Sequence, residues 1–256
     1  MNLYIYIMFF IFGLCLGSFY NVLGMRLPNG ESIIKPKSHC PKCNHELSWY
    51  ELIPVLSFLI QKGKCRNCHT KLSLFYPIIE LSTGILFLIS YHSFGFSIEI
   101  LISLILVSLF MIVIVSDLSY LIIPDSFIFL PAILIFIIKI FQSGITNALI
   151  QLGYGGISFL MMYLVMLLGN FLFKKESLGG ADIKLMFLVG LVLDPIRSIM
   201  VIFIASITAL PVSLILLVKN KEHVIPYGPF IVFGLLTIYF TKLDLLEIFT
   251  KILNFF

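Results

Sequence analysis

The sequence predicts an all-α polytopic membrane protein with about seven to eight transmembrane helices and one small polar segment on the cytoplasmic side. Three observations lead there. The chain of 256 residues is 60% hydrophobic, and its mean hydropathy of +1.08 lies far above that of a soluble globular domain. Apolar runs recur along the whole length, and a run of about 18 or more such residues reads as a membrane helix. Basic residues, finally, are unevenly spread, which sets the orientation of those helices.

The first run, 3–23, has no basic residue ahead of it and no small-residue cleavage site behind it, so it reads as a retained span rather than a signal peptide. Cys15, inside this run, is expected to pack as a small hydrophobe. Residues 24–76 then carry Arg26, Lys35, Lys37, Lys42, Lys62, Lys64, Arg66 and Lys71 against Glu31, Glu46 and Glu51. That excess places the segment in the cytoplasm. Further apolar runs follow at 77–91, 98–115, 127–141, 148–173, 183–193, 199–218 and 230–240. The run 183–193 is too short to cross alone. Alternating the spans puts Lys174, Lys175, Lys184, Lys219 and Lys221 on the cytoplasmic side as well. Lys139, Arg197, Lys242 and Lys251 fall opposite. The tail, 243–256, carries Leu245, Leu246, Phe249, Ile252 and Leu253 in a pattern that suits an interfacial amphipathic helix. A buried terminal helix fits the same pattern.

The polar segment has chemistry of its own. Cys40-Pro41-Lys42-Cys43 and Cys65-Arg66-Asn67-Cys68 form two CxxC pairs with 21 residues between them. Paired knuckles of this spacing bring four thiolates into the tetrahedron that zinc prefers in closed structural sites. A reducing cytoplasm argues against disulfides, and so short a segment has little core, so that a metal would help to fold it. His39, His45 and His69 flank the knuckles and are expected to be solvated loop residues. The chain thus divides into a first transmembrane helix (1–23), a zinc-binding cytoplasmic segment (24–76), a transmembrane core (77–242) and the tail (243–256).

Two carboxylates stand out against the apolar background. Asp117 closes the run that starts at Ile98, and Asp182 opens the run that ends near Leu193. An ionisable side chain at a membrane segment is costly and usually faces a cavity or a partner. Asp117 sits at the C-terminal end of its helix, where the dipole disfavours negative charge. Pro124 starts the next helix, which leaves Asp125 in a first turn where a carboxylate acts as an ordinary cap. Asp182 follows Gly179-Gly180-Ala181; these small residues let backbone pass closely and leave room for an extended substrate. Asp182 alone also suits an N-cap. Lys184 either holds a negative charge near the site or snorkels to the headgroups, the commoner outcome. The alternating topology places Asp117 and Asp182 at the same membrane surface, where two carboxylates can share a proton and activate water.

Taken in order, these residues resemble the prepilin peptidases, the type IV leader peptidases of the GxGD aspartic protease group. The likeness is carried by Gly17-Ser18-Phe19-Tyr20-Asn21-Val22 with Arg26-Leu27-Pro28, then the two CxxC pairs with Pro54-Val55-Leu56-Ser57 between them. Tyr76-Pro77-Ile78-Ile79-Glu80, the run from Asp117 to Asp125, the run from Gly179 to Leu185 and Ile225-Pro226-Tyr227-Gly228-Pro229 complete it. Ala181 departs from the motif, standing where GxGD has its second glycine. The resemblance implies that Asp117 and Asp182 are the catalytic aspartates, supported by Gly179, Gly180, Lys184 and Asp125. It implies prepilin or pseudopilin substrates, cut after a glycine at the cytoplasmic face of the inner membrane. It also implies methylation of the new N-terminus from S-adenosylmethionine, beside a structural zinc on Cys40, Cys43, Cys65 and Cys68. The expected partners are such substrates and the lipid bilayer, with no nucleic acid. Two rival classes use some of the same features: a proton-coupled transporter and a zinc-bearing membrane adaptor without activity. A transporter would favour carboxylates near the midplane and repeated halves, neither of which the sequence carries.

Overall fold

The computed structural model describes residues 3–174, 178–218 and 226–243. Lys175, Lys219, Lys221, Ile225, Lys251 and the tail beyond Leu243 lie outside them. The described residues form an all-α membrane protein: α1 (Leu3–Arg26), a short α2 (Leu56–Ile60), α3 (Phe75–Phe94), α4 (Ile98–Tyr120), α5 (Asp125–Phe173), α6 (Gly180–Val192), α7 (Pro195–Val218) and α8 (Gly228–Thr241). Among them, α1, α3, α4, α5 and α7 are long and apolar enough to cross a membrane. α5 is two helices joined across Gly144, whose backbone (φ 83°, ψ 163°) leaves the helical region. The two apolar runs read from the sequence therefore lie either side of that break, and each half has the length a crossing needs.

α6 and α8 are short, about 20 Å each at 1.5 Å per residue, yet nine of the 13 residues of α6 are buried, between Asp182 and Val192. Both pack within the bundle instead of forming its outer wall. α6 lies mainly against α5, and α8 is set among α4, α6 and α7. The main core, including Leu106, Val113, Ile135, Met186, Leu188 and Ile231, sits where these helices converge. The ends of the bundle away from Asp117 are tied by Glu99, which accepts hydrogen bonds from the Tyr239 hydroxyl and from Gln142 Nε2. Such pairings matter in an apolar medium, where a lone carboxylate has no water to turn to.

α1 rests on α3 through small residues. A Cβ added at Gly13 would stand 2.7 Å from Gly84 Cα, and one at Gly17 would stand 2.7 Å from Glu80 Cα. Close backbone approach of this kind is how membrane helices associate when apolar burial itself gives little advantage over lipid. Cys15, expected inside the packing, lies on the exposed face of α1, because Gly13 and Gly17 occupy the face that meets α3.

Gly17→Leu should therefore push α1 from α3, costing about 1–3 kcal/mol by overpacking. A thermal melt of the detergent-solubilised protein should show a clear drop in midpoint, whereas Cys15→Leu, on the outer face, should leave it almost unchanged. Equal effects of the two would contradict this packing.

Candidate active site and metal centre

Asp117 and Asp182 come from different helices and are both buried, with exposures of 6% and 8%. Asp117 lies in the last turn of α4. That helix ends as Leu121 turns left-handed (φ 56°) and donates its N–H to the Asp117 carbonyl at 2.9 Å. Beneath it, the buried Ser116 hydroxyl bonds the carbonyl of Ile122, fixing the path towards Pro124. The Asp117 carboxylate accepts the backbone N–H of Gly228. Gly228 opens α8, and a Cβ there would stand 2.5 Å from Ile123 Cδ1 and 3.1 Å from Asp117 Oδ2. A side chain there would press on the tip of Ile123 and crowd the Asp117 carboxylate, so glycine suits this close approach.

Asp182 is held in a related way. Gly179 is the N-cap of α6 and Gly180 its first residue, so Asp182 occupies the third helical position, not the cap the sequence suggested. From there its carboxylate reaches back to accept the Gly179 N–H, one half of a capping box. The first turn of a helix also favours a negative charge. The second correction concerns the two glycines. Among the described residues no backbone passes close to them: a Cβ at Gly180 would meet nothing within 4 Å, and one at Gly179 would meet only the carboxyl group of Asp182. Both are exposed, so they leave open space beside the carboxylate. Ala181 has helical backbone and is partly buried against the core, so its methyl group sits where alanine is favoured over glycine.

The two carboxylates lie within electrostatic range of each other, and the Tyr227 hydroxyl, which meets Ser206 Oγ at 3.0 Å, lies within range of Asp182. Lys184 does not snorkel: its Nζ meets Asp125 Oδ1 at 2.6 Å, pinning the start of α5 to the start of α6. Both partners are substantially exposed, so the pair adds at most about 1 kcal/mol; its effect is on position. Asp125 is accordingly more than a cap. Gly228 and Tyr227 carried no assigned role in the sequence. The signal for Gly228, a glycine just ahead of a proline at a helix start, was present but silent about its long-range contact.

The cysteines form a separate centre. Their four Sγ atoms lie within 4.8 Å of one another, with Cys40–Cys68 at 3.8 Å and Cys43–Cys65 at 3.9 Å. Bonds of about 2.3 Å in a zinc tetrahedron imply a sulfur–sulfur edge of about 3.8 Å, so the donor set fits a closed four-sulfur metal site. The knuckles are built alike. Cys40 N–H bonds the His45 carbonyl and Asn44 N–H the Cys40 carbonyl; Cys65 N–H bonds the Thr70 carbonyl and His69 N–H the Cys65 carbonyl. Asn44 (φ 53°) and His69 (φ 54°) fill the same left-handed position, which makes His69 a turn residue. Backbone hydrogen bonds from Lys42 and Cys43 lower the Cys40 pKa, and hydrogen bonds from the Thr70 side chain and backbone pull Cys68 to about 6. Those two favour the thiolate a metal needs, whereas burial and the neighbouring sulfurs push Cys43 up to about 11. His45 is not simply solvated, since its Nε2 lies 3.3 Å from Glu51 Oε2.

The family described as Bacterial Peptidase A24 N-terminal domain matches residues 11–94, and the Type IV leader peptidase family matches residues 104–214. The chain is 39% identical over 189 residues to the prepilin leader peptidase/N-methyltransferase of Bacillus subtilis, covering 72% of each chain. It is 31% identical over 255 residues to that of Vibrio cholerae, covering 93% of this chain and 98% of the relative. Against the Myxococcus xanthus protein of the same description the identity is 37% over 214 residues, spanning 82% of this chain and 63% of the relative. No solved structure matches the chain.

The cysteine centre yields a direct test. Protein purified without chelators should carry one zinc per chain, and X-ray absorption should give four sulfur neighbours at about 2.3 Å. Absence of zinc together with free alkylation of all four thiols in the native protein would contradict the assignment.

Proposed function

Starting from the fact that the chain belongs to the Type IV leader peptidase family, which makes it an enzyme that cleaves the leader peptides of type IV prepilins, we propose that Asp117 and Asp182 perform that cleavage. The observation that carries the assignment is the pairing of two buried carboxylates in electrostatic range, beside open space at Gly179 and Gly180. One carboxylate takes a proton from water as the water oxygen attacks the scissile carbonyl carbon. The other, protonated, donates to the carbonyl oxygen. Collapse of the tetrahedral species breaks the C–N bond, the proton taken from water passes to the leaving amine, and a hydroxyl proton of the tetrahedral species returns to the second carboxylate. Such a pair titrates as a unit, so the acid and base roles belong to the dyad and not to either residue. The N–H groups of Gly228 and Gly179 orient the carboxylates, and the Lys184–Asp125 pair holds the two helix starts together.

The substrate is a prepilin or pseudopilin with a basic leader in the cytoplasm, cut after a glycine. Its hydrophobic helix packs along the bundle, and its extended leader crosses the open face of Gly179 and Gly180. The excess of Lys and Arg in residues 24–76 supports a cytoplasmic site by the positive-inside rule. Zinc on Cys40, Cys43, Cys65 and Cys68 shapes that segment; four protein ligands leave no open position for chemistry. The relatives are described as N-methyltransferases as well as peptidases, and methylation of the new N-terminus follows here by the same kinship. S-adenosylmethionine supplies the transferable methyl group when bound.

Asp117→Asn and Asp182→Asn keep side-chain size but remove proton exchange. Each should lower cleavage of a prepilin by about 10²–10⁴-fold without changing zinc content or melting midpoint. Given an already cleaved pilin, Asp117→Asn should still methylate it. Substantial cleavage by either variant would remove the dyad from the reaction, and loss of methylation in a folded Asp117→Asn would mean that the two activities share a site.

A further inference from the structure

The polar segment between α1 and α3 does not stand clear of the bundle. Glu80 follows the start of α3 at Phe75 by five residues, about 7.5 Å along the axis. Its Cα would lie 2.7 Å from a Cβ at Gly17 of α1, and Gly17 is nine residues, about 13.5 Å, short of the end of that helix at Arg26. The Glu80 carboxylate accepts the Val55 N–H at 2.7 Å. Even leaning towards the start of its helix, as helical side chains do, that carboxylate stays below the level of Arg26. The chain around Val55 therefore lies alongside the ends of membrane-spanning helices, not beyond them. What it carries there is apolar and uncovered. A 3₁₀ turn (Trp49–Leu52) and α2 leave Trp49 78% and Ile60 79% exposed, and Leu52, Ile53, Leu56 and Leu59 are exposed with them. Glu51, the one charged residue between Trp49 and Ile60, turns inward: it is buried, accepts the Ser48 N–H at 3.0 Å and lies 3.3 Å from His45 Nε2. An apolar patch of this size is rarely left to water.

We propose that residues 49–60 dock into the phospholipid leaflet on their side of the bundle, with Trp49, Leu56, Leu59 and Ile60 at the boundary between headgroups and acyl chains. Two observations select lipid as the occupant. The first is depth. Interfacial segments bury their apolar face about 5–10 Å into that boundary, and the Glu80–Val55 bond holds this stretch within such a distance of the helix ends. The second is charge. Lys62 and Lys64 follow α2 directly, and Lys71 is paired with Lys64 across an antiparallel bridge. All three are exposed, and none meets a carboxylate among the described residues. Long basic side chains beside an apolar face reach up to lipid phosphates while their stems stay on the apolar surface. Arg66 lies over the Tyr50 ring, 5.3 Å from its centroid, which adds the aromatic and basic pairing typical of a membrane–water interface. The polar segment is thus held at three places: by the end of α1, by Glu80 of α3 and by the leaflet itself.

Trp49 is the sole tryptophan of the chain, so its fluorescence reports this face alone. The full-length protein, with its metal, is placed in nanodiscs of phosphatidylcholine and phosphatidylglycerol. A fraction of the lipid carries bromine either near the glycerol end or near the methyl end of its acyl chains. Strong quenching by the shallow bromines is expected, with weak quenching by the deep ones and little access for acrylamide in the water. Leu59→Glu combined with Ile60→Glu, at exposed positions, puts charge where the acyl boundary disfavours it. That variant should lose the bromine quenching and open Trp49 to acrylamide, with metal content unchanged. Should it lose the metal, the wild-type quenching pattern decides the matter. Acrylamide quenching as full as for free tryptophan, with none by bromine, would overturn the proposal. So would deep bromines quenching more than shallow ones, or protection from acrylamide that arises only when a prepilin is added, which would give this face to the substrate.

Discussion

Two carboxylates inside an apolar helix bundle are the constraint around which the rest is arranged. Away from water, a charged group must find partners in the protein, and here the partners are backbone amides. Gly228 serves Asp117 and Gly179 serves Asp182. Each glycine stands at the start of a helix, where amides have no partner within the helix. The donors that anchor the site are therefore those the fold leaves spare, and α6 and α8 begin where they do in order to present them. The same need explains why these two short helices are enclosed by protein. Lipid contact along α6 would bring the carboxylate to a medium that offers no hydrogen bonds.

The cysteine segment depends on the bundle and the bundle's polar surface depends on it. Glu80, reaching from α3 to Val55, and Asn21, reaching from α1 to the Tyr76 carbonyl, are the polar links at this junction. Close approach of α1 and α3 at Gly13, Gly17 and Gly84 sets the spacing of the helices that carry them. Four sulfurs at tetrahedral spacing then stand in for the hydrophobic core that so small a segment lacks.

Much of this was legible in the residues because it is local. Hydropathy marks each apolar run without knowledge of its neighbours, and the CxxC spacing places sulfur ligands within two tight turns. Asp117 and Asp182 attract notice because charge is scarce around them. Long-range pairing leaves no such trace. Lys184 looked like a snorkelling lysine because its partner Asp125 is 59 positions away. Gly228 looked like a motif residue of unstated purpose, since nothing in a sequence says which side chain an absent Cβ makes room for. The break at Gly144 separated two apolar runs correctly, but hydropathy could not reveal that α6 and α8 lie inside the bundle.

The central claim is that Asp117 and Asp182 act on one water. A cryo-electron microscopy structure of the protein in lipid nanodiscs, at a resolution that shows carboxylates and ordered water, measures this directly. The account predicts that both carboxyl groups lie within hydrogen-bonding distance of a single water at the open face beside Gly179 and Gly180. Carboxyl groups on opposite membrane faces, or too far apart to share a water, would contradict it.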